Sequence, residues 1–159
     1  MNYNHFVIAR TIHIICIVLW IGGVAFVTTV LIPSIRKTQR SENRLELFES
    51  LEGIFSFQAK FTTLITGLSG LYMLEVMDAW SRYANLQFWW LHLMTFVWAI
   101  FSIVLFALEP LFLHKWFHEQ AIKNNERAFS VLQIMHIVLL CLSLLAIIGA
   151  MAGAHGYAF

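Results

Sequence analysis

The chain has 159 residues, 60% of them hydrophobic and only 12% charged, with a net charge of +1. That composition is too apolar for an ordinary soluble domain. The near-neutral balance, without a basic tract, also argues against a nucleic-acid surface.

Crossing a bilayer as a helix takes about 20 apolar residues. Four stretches qualify, near residues 7–32, 55–77, 87–109 and 129–152, and they leave no sizeable aqueous domain. The first contains "RTIHIICIVLWIGGVAF", with His13 among apolar neighbours and Arg10 one turn before it. It is longer than a signal-peptide core, and no A-x-A-like cleavage site follows, so it reads as a retained membrane helix. Pro33 should end it.

A basic connection follows, with Arg36, Lys37, Arg40 and Arg44. Next comes "SENRLELFESLEG", about 41–53, whose apolar residues have helical spacing. It reads as an amphipathic segment on the inner surface, or as a downward extension of the second span. The second span has Lys60 at its base, carries Gly67 and Gly70 in "TGLSGLY", and ends near Glu75 and Asp78. Those two acids, with Arg82, read as an interfacial charge cluster or a quinone or proton site.

The third span carries His92 and should kink or end at Glu109-Pro110, because proline disfavours helical geometry in the residue before it. "LFLHKWFHEQ" then lies at the inner interface. The fourth span carries His136, Gly149 and Gly153. Cys16 and Cys141 fall inside spans and read as buried thiols. Met73, Met77, Met94 and Met135 suit either packing or soft-metal ligation.

Lysine and arginine are concentrated in the first and third loops, so those loops should face the cytoplasm. The expected fold is therefore all-α: one transmembrane domain over residues 1–159, an integral membrane four-helix up-down bundle with both termini outside.

Depth sorts the histidines. At about 1.5 Å per residue, His13 and His92 both lie roughly 10 Å outward of the midplane. Two imidazoles at one level are what a bis-histidine haem requires. Gly67, Gly70, Gly149 and Gly153 lie in the outer halves of their spans and could leave room for a macrocycle, although such spacing also serves close helix packing. Arg10 could pair with a propionate or anchor at headgroups, with Thr11, Ser69 and Tyr72 as further polar neighbours. The competing reading of His13 is a ring bonded only to a carbonyl or hydroxyl of a neighbouring helix. His136, His114 and His118 lie inward and could form a second metal site, or in the case of the latter two a solvated belt. His5 and His155 lie near the ends.

The first-helix segment resembles that of small membrane proteins of the CopD-like and HemJ-like group. "FSFQAKFTTLITGLSGLYML" is similar to their second helix, and "WLHLMTFV" to the third helix of HemJ-like proteins. The resemblance implies an integral protein of a bacterial inner membrane. It also implies either haem b with protoporphyrinogen IX oxidation, or copper uptake. His13 matches the first-helix histidine, while Leu93 and Met94 stand where HemJ-like proteins tend to carry a lysine.

The leading expectation is thus a haem b protein with His13 and His92 as axial ligands, moving electrons between a membrane donor such as a quinol and a partner at the outer face. A copper transport protein and a structural small subunit of a larger membrane complex or homo-oligomer are the alternatives.

Overall fold

A computed structural model describes residues 3–38 and 41–156. Arg40 lies outside the described residues. Within them the chain is helical and has no strand.

Helix α1 runs as Tyr3–Phe26, widens into π turns over Val27–Leu31 and continues over Ile32–Thr38. Helix α2 is a single run, Ser41–Val76. Two 3₁₀ turns, Trp80–Ala84 and Leu86–Phe88, lead into α3. Helix α3 runs as Trp89–Ile103, widens over Val104–Leu113 and continues over His114–Lys123. Helix α4 is Asn125–Ala154. Asn124 starts it by accepting the Arg127 amide on its side chain, a standard N-terminal cap.

Two expected helix ends are absent. Neither Pro33 nor Glu109-Pro110 stops its helix. A proline ring clashes with the carbonyl four residues back. For both prolines that residue, Thr29 or Phe106, lies in the widened segment, where the looser turn makes room. The amphipathic stretch at 41–53 is likewise no separate surface helix but the lower part of α2.

Three helices have the length and apolarity of a membrane crossing: Tyr3–Lys37, Leu86–Leu113 and Asn125–Ala154. The sequence suggested four. Helix α2 falls short because hydroxyls and charges interrupt its apolar run. Their distribution is nevertheless one-sided. Ser56, Thr62, Thr63, Thr66 and Ser69 are buried, whereas Ile54, Phe57, Phe61, Leu64 and Leu68 are exposed, Phe57 by 76%. The polar stripe faces the protein and the apolar stripe faces out, the reverse of a helix on a water-soluble protein.

Neighbouring helices run antiparallel. His13 of α1 meets Thr66 of α2, and Gly23 meets Phe55. Trp98 of α3 donates to the Thr63 carbonyl, and Glu109 meets Ser56. Trp90 of α3 lies against Gly153 of α4, and Phe117 against Phe129. Two apolar clusters fill the interior. One surrounds Trp20 and Phe101, whose rings meet edge-on at 4.9 Å. The other surrounds Phe48, Phe117 and Phe129. At the basic end, Arg36 reaches Gln133, Ser130 and Glu126, and Arg44 bonds both Glu126 and the Arg36 carbonyl. These bonds tie α1, α2 and α4 together where the positive charge is concentrated.

Candidate functional site

His13 is half-buried and turned toward α2. Its Nδ1 lies 2.9 Å from the Thr66 carbonyl oxygen and 3.0 Å from Ser69 Oγ. A carbonyl only accepts, so Nδ1 carries the proton and donates it. Nε2 is then the bare nitrogen, the tautomer that metal-bound histidines adopt when a backbone carbonyl orients the ring. The Ser69 hydroxyl is itself directed to the Ile65 carbonyl. Gly70 allows this docking: a Cβ there would sit 3.2 Å from His13 Cε1. The bond to a neighbouring helix is what the purely structural reading of His13 foresaw. It leaves one ring nitrogen uncommitted.

His92 is held differently. The turn before α3 folds back over it, so that the Tyr83 ring stands edge-on at 5.4 Å. Tyr83 is fixed in turn by a 2.6 Å bond between its hydroxyl and Thr95. His92 Nε2 is buried and has no hydrogen-bond partner among the described residues. A buried polar atom left unpaired is costly and calls for an explanation.

The register between helices puts the two rings at one depth. Trp98 is bonded to the carbonyl of Thr63. His92 lies six residues before Trp98 on α3 and Ser69 six residues after Thr63 on α2, both about 9 Å in the same direction along antiparallel axes. Ser69 bonds His13, so His92 and His13 share a level. His92 Nε2 has no partner, so it makes no hydrogen bond to His13.

What the four glycines accept is protein rings. Added Cβ atoms would lie 2.5 Å from Trp98 at Gly67, 2.6 Å from Trp89 at Gly149 and 2.2 Å from Trp90 at Gly153. Arg10, like Thr11 and Tyr72, is exposed at the end of the bundle that holds the N-terminal turns of α1 and the C-terminal turns of α2.

The inner histidines are separated in role. His136 donates from Nδ1 to the Leu132 carbonyl one turn back, 2.9 Å away, and lines a cavity. His118 bonds Glu49 at 2.8 Å across the α2–α3 interface. The side chain of His114 lies outside the described residues. His155 bonds the Met151 carbonyl, and His5 is exposed. Among the described residues no three His, Cys, Asp or Glu side chains converge as a metal group. Cys16 and Cys141 are free thiols, but only Cys16 is buried; Cys141 faces outward. At the outer turn, Glu75 accepts from the Trp80 indole, and Arg82 lies over the Phe88 ring.

Sequence reasoning treated Glu109 only as a helix breaker. In the structure Ser56 donates to its carboxylate at 2.6 Å and Lys60 to the same group at 2.9 Å. The available signal was an ionisable side chain within an apolar run, which is a functional candidate by default.

Comparison of this chain with family models, with curated proteins and with solved structures gave no match.

Proposed function

We propose that the chain is an integral membrane haem b protein of the CopD-like and HemJ-like type, with His13 and His92 as the two axial ligands. The observation that carries this reading is the buried, unpartnered Nε2 of His92 at the level of His13, whose own Nε2 is left bare by the Thr66 bond. The donor set fits haem better than a bare metal ion. A porphyrin supplies four nitrogens and needs two from the protein. A tetrahedral ion wants three or four protein donors, and no group of three converges among the described residues.

A haem iron held there would exchange single electrons. The protein's part is positional. The Thr66 carbonyl and Ser69 hydroxyl orient the His13 ring, and Tyr83 covers His92 and limits water. Apolar surroundings and two imidazole donors would tune the potential of a haem held there. The indoles against Gly67, Gly149 and Gly153 would form packed walls near the site, not gaps in it.

In this reading α2 also crosses the bilayer. Its buried hydroxyl stripe and exposed apolar stripe support that crossing despite its modest apolarity. Four crossings give an up-down bundle with both termini on the outer side, and the Arg36–Arg44–Glu126 cluster at the cytoplasmic surface.

The purified chain in detergent should show a sharp Soret band and a reduced α band. His13→Ala and His92→Ala should each remove most of the pigment while helix content, read by circular dichroism, stays unchanged. A colourless wild-type protein, or pigment retained in both variants, refutes the assignment.

A further inference from the structure

The polar groups not used by the haem reading gather in one cavity in the inner half of the protein, of about 130 Å³. Its walls include Trp20 of α1, Ser56 of α2, Phe101 and Glu109 of α3, and Met135 and His136 of α4. Most of the lining is apolar or aromatic; its polar groups are the Trp20 indole, Glu49, Glu52, Ser56, Glu109 and His136.

Trp20 is only 3% exposed, yet its indole N–H has no acceptor among the described residues. Buried indoles ordinarily find one. His136 gives its Nδ1 proton to the Leu132 carbonyl, so its Nε2 is an acceptor. The Glu109 carboxylate is fixed by Ser56 and Lys60. The cavity therefore combines a donor without an acceptor and an acceptor nitrogen within largely apolar walls, beside carboxylates of which Glu109 is paired with Lys60 and Glu49 with His118. That mixture of an apolar body and a few placed polar groups is the usual character of a small-molecule site.

Simple occupants fit poorly. A lipid acyl chain offers Trp20 no acceptor and His136 no donor. A cation finds no converging donor set there, since Glu109 is paired with Lys60, Glu49 is paired with His118, and no three His, Cys, Asp or Glu side chains converge among the described residues. An anion would face the carboxylates of Glu49, Glu52 and Glu109. The geometry points to the headgroup of a p-quinol, a flat ring soluble in the bilayer that carries acceptor oxygens and donor hydroxyls. One quinol oxygen accepts from Trp20 Nε1, and a quinol hydroxyl donates to His136 Nε2. The volume suits one ring, since an apolar protein cavity of about 150 Å³ takes up benzene. This assignment deepens the redox reading by naming the donor class and rests on that reading for its purpose. The binding itself does not require the haem.

The test is calorimetric titration of the full chain in lipid nanodiscs with a decyl-substituted benzoquinol under anaerobic conditions, with empty nanodiscs as reference. One saturable site per chain is expected. The dimethyl ether of the same quinol, which lacks both O–H donors, should bind roughly tenfold more weakly, as should the quinol to Trp20→Phe or His136→Leu. The ether comparison uses the wild-type chain, so it decides the matter even if a variant fails to fold. No saturable uptake beyond empty discs overturns the proposal, as does equal binding of quinol, ether and decylbenzene. Haem content is read separately on the same sample. A colourless chain that binds quinol refutes only the haem assignment, and a pigmented chain that does not bind it refutes only the quinol site.

Discussion

Replacing Lys60 with methionine should destabilise the protein by about 2–4 kcal/mol, and adding Glu109→Gln should restore most of that loss. The pair is held at 2.9 Å, with 31% of the lysine side chain and 18% of the glutamate side chain exposed. Breaking a fully buried pair by removing one partner costs about 3–5 kcal/mol, because a charge remains in a poorly solvating place. The partial exposure here lowers that figure. The two halves of the pair should differ. Glu109 is short, set within the widened turns of α3, and lines the cavity with Ser56 bonded to it. Without Lys60 the carboxylate loses the cation that balances it. Lys60 is long and flexible, and once Glu109 is neutral its ammonium can extend toward the inner surface. Glu109→Gln alone should therefore cost clearly less than Lys60→Met. Unfolding of the four chains in mixed micelles, followed by circular dichroism, measures the cycle. Equal costs for the two single variants, or a double variant no better than Lys60→Met, would show that the ion pair is not what stabilises this contact.

The helices themselves were largely readable, since runs of apolar residues of bilayer length leave few alternatives. Their ends were less so. Pro33 and Pro110 read as stops, and whether a helix stops or loosens depends on the turn it can adopt, which side-chain pattern alone does not reveal. The polar face of α2 was present in the sequence as Ser56, Ala59, Thr63, Thr66 and Ser69–Gly70, a stripe at helical spacing, although it was taken piecemeal. Depth along the helix was the sequence signal for pairing His13 with His92, and the Trp98–Thr63 bond is a contact that the sequence did not reveal. The partners of each ring were not readable. That His13 donates to Thr66, or that Tyr83 folds over His92, depends on rotations of helices and on a turn geometry with Asp78 at a positive φ. Glycines announced close approach but not what approaches: three of the four glycines considered as a cofactor slot seat tryptophan rings.

One of those contacts yields the other large effect. Gly67→Ala should destabilise the chain by about 2–4 kcal/mol, whereas Gly22→Ala should be neutral or slightly stabilising. At Gly22 an added methyl meets nothing within 4 Å, so only the helix preference for alanine is felt. At Gly67 the methyl would lie 2.5 Å from Trp98 Cζ2 and 2.7 Å from Nε1. The indole cannot yield cheaply, because its N–H is bonded to the Thr63 carbonyl at 3.0 Å, one turn along the same helix. Relieving the clash means overpacking, costing about 1–3 kcal/mol, or giving up a buried hydrogen bond as well, about 1 kcal/mol more. On a Trp98→Leu background the same glycine change should cost far less, since the obstructing ring is gone. The Trp98–Thr63 contact also sets the register that brings His92 level with His13. On the proposed haem reading, Gly67→Ala should therefore lower pigment content per chain under conditions where the helices remain folded, and Gly22→Ala should not. Pigment that falls equally in both variants, or an unfolding cost at Gly67 unaffected by removing the Trp98 indole, would mean that this contact does not hold the two histidines in register.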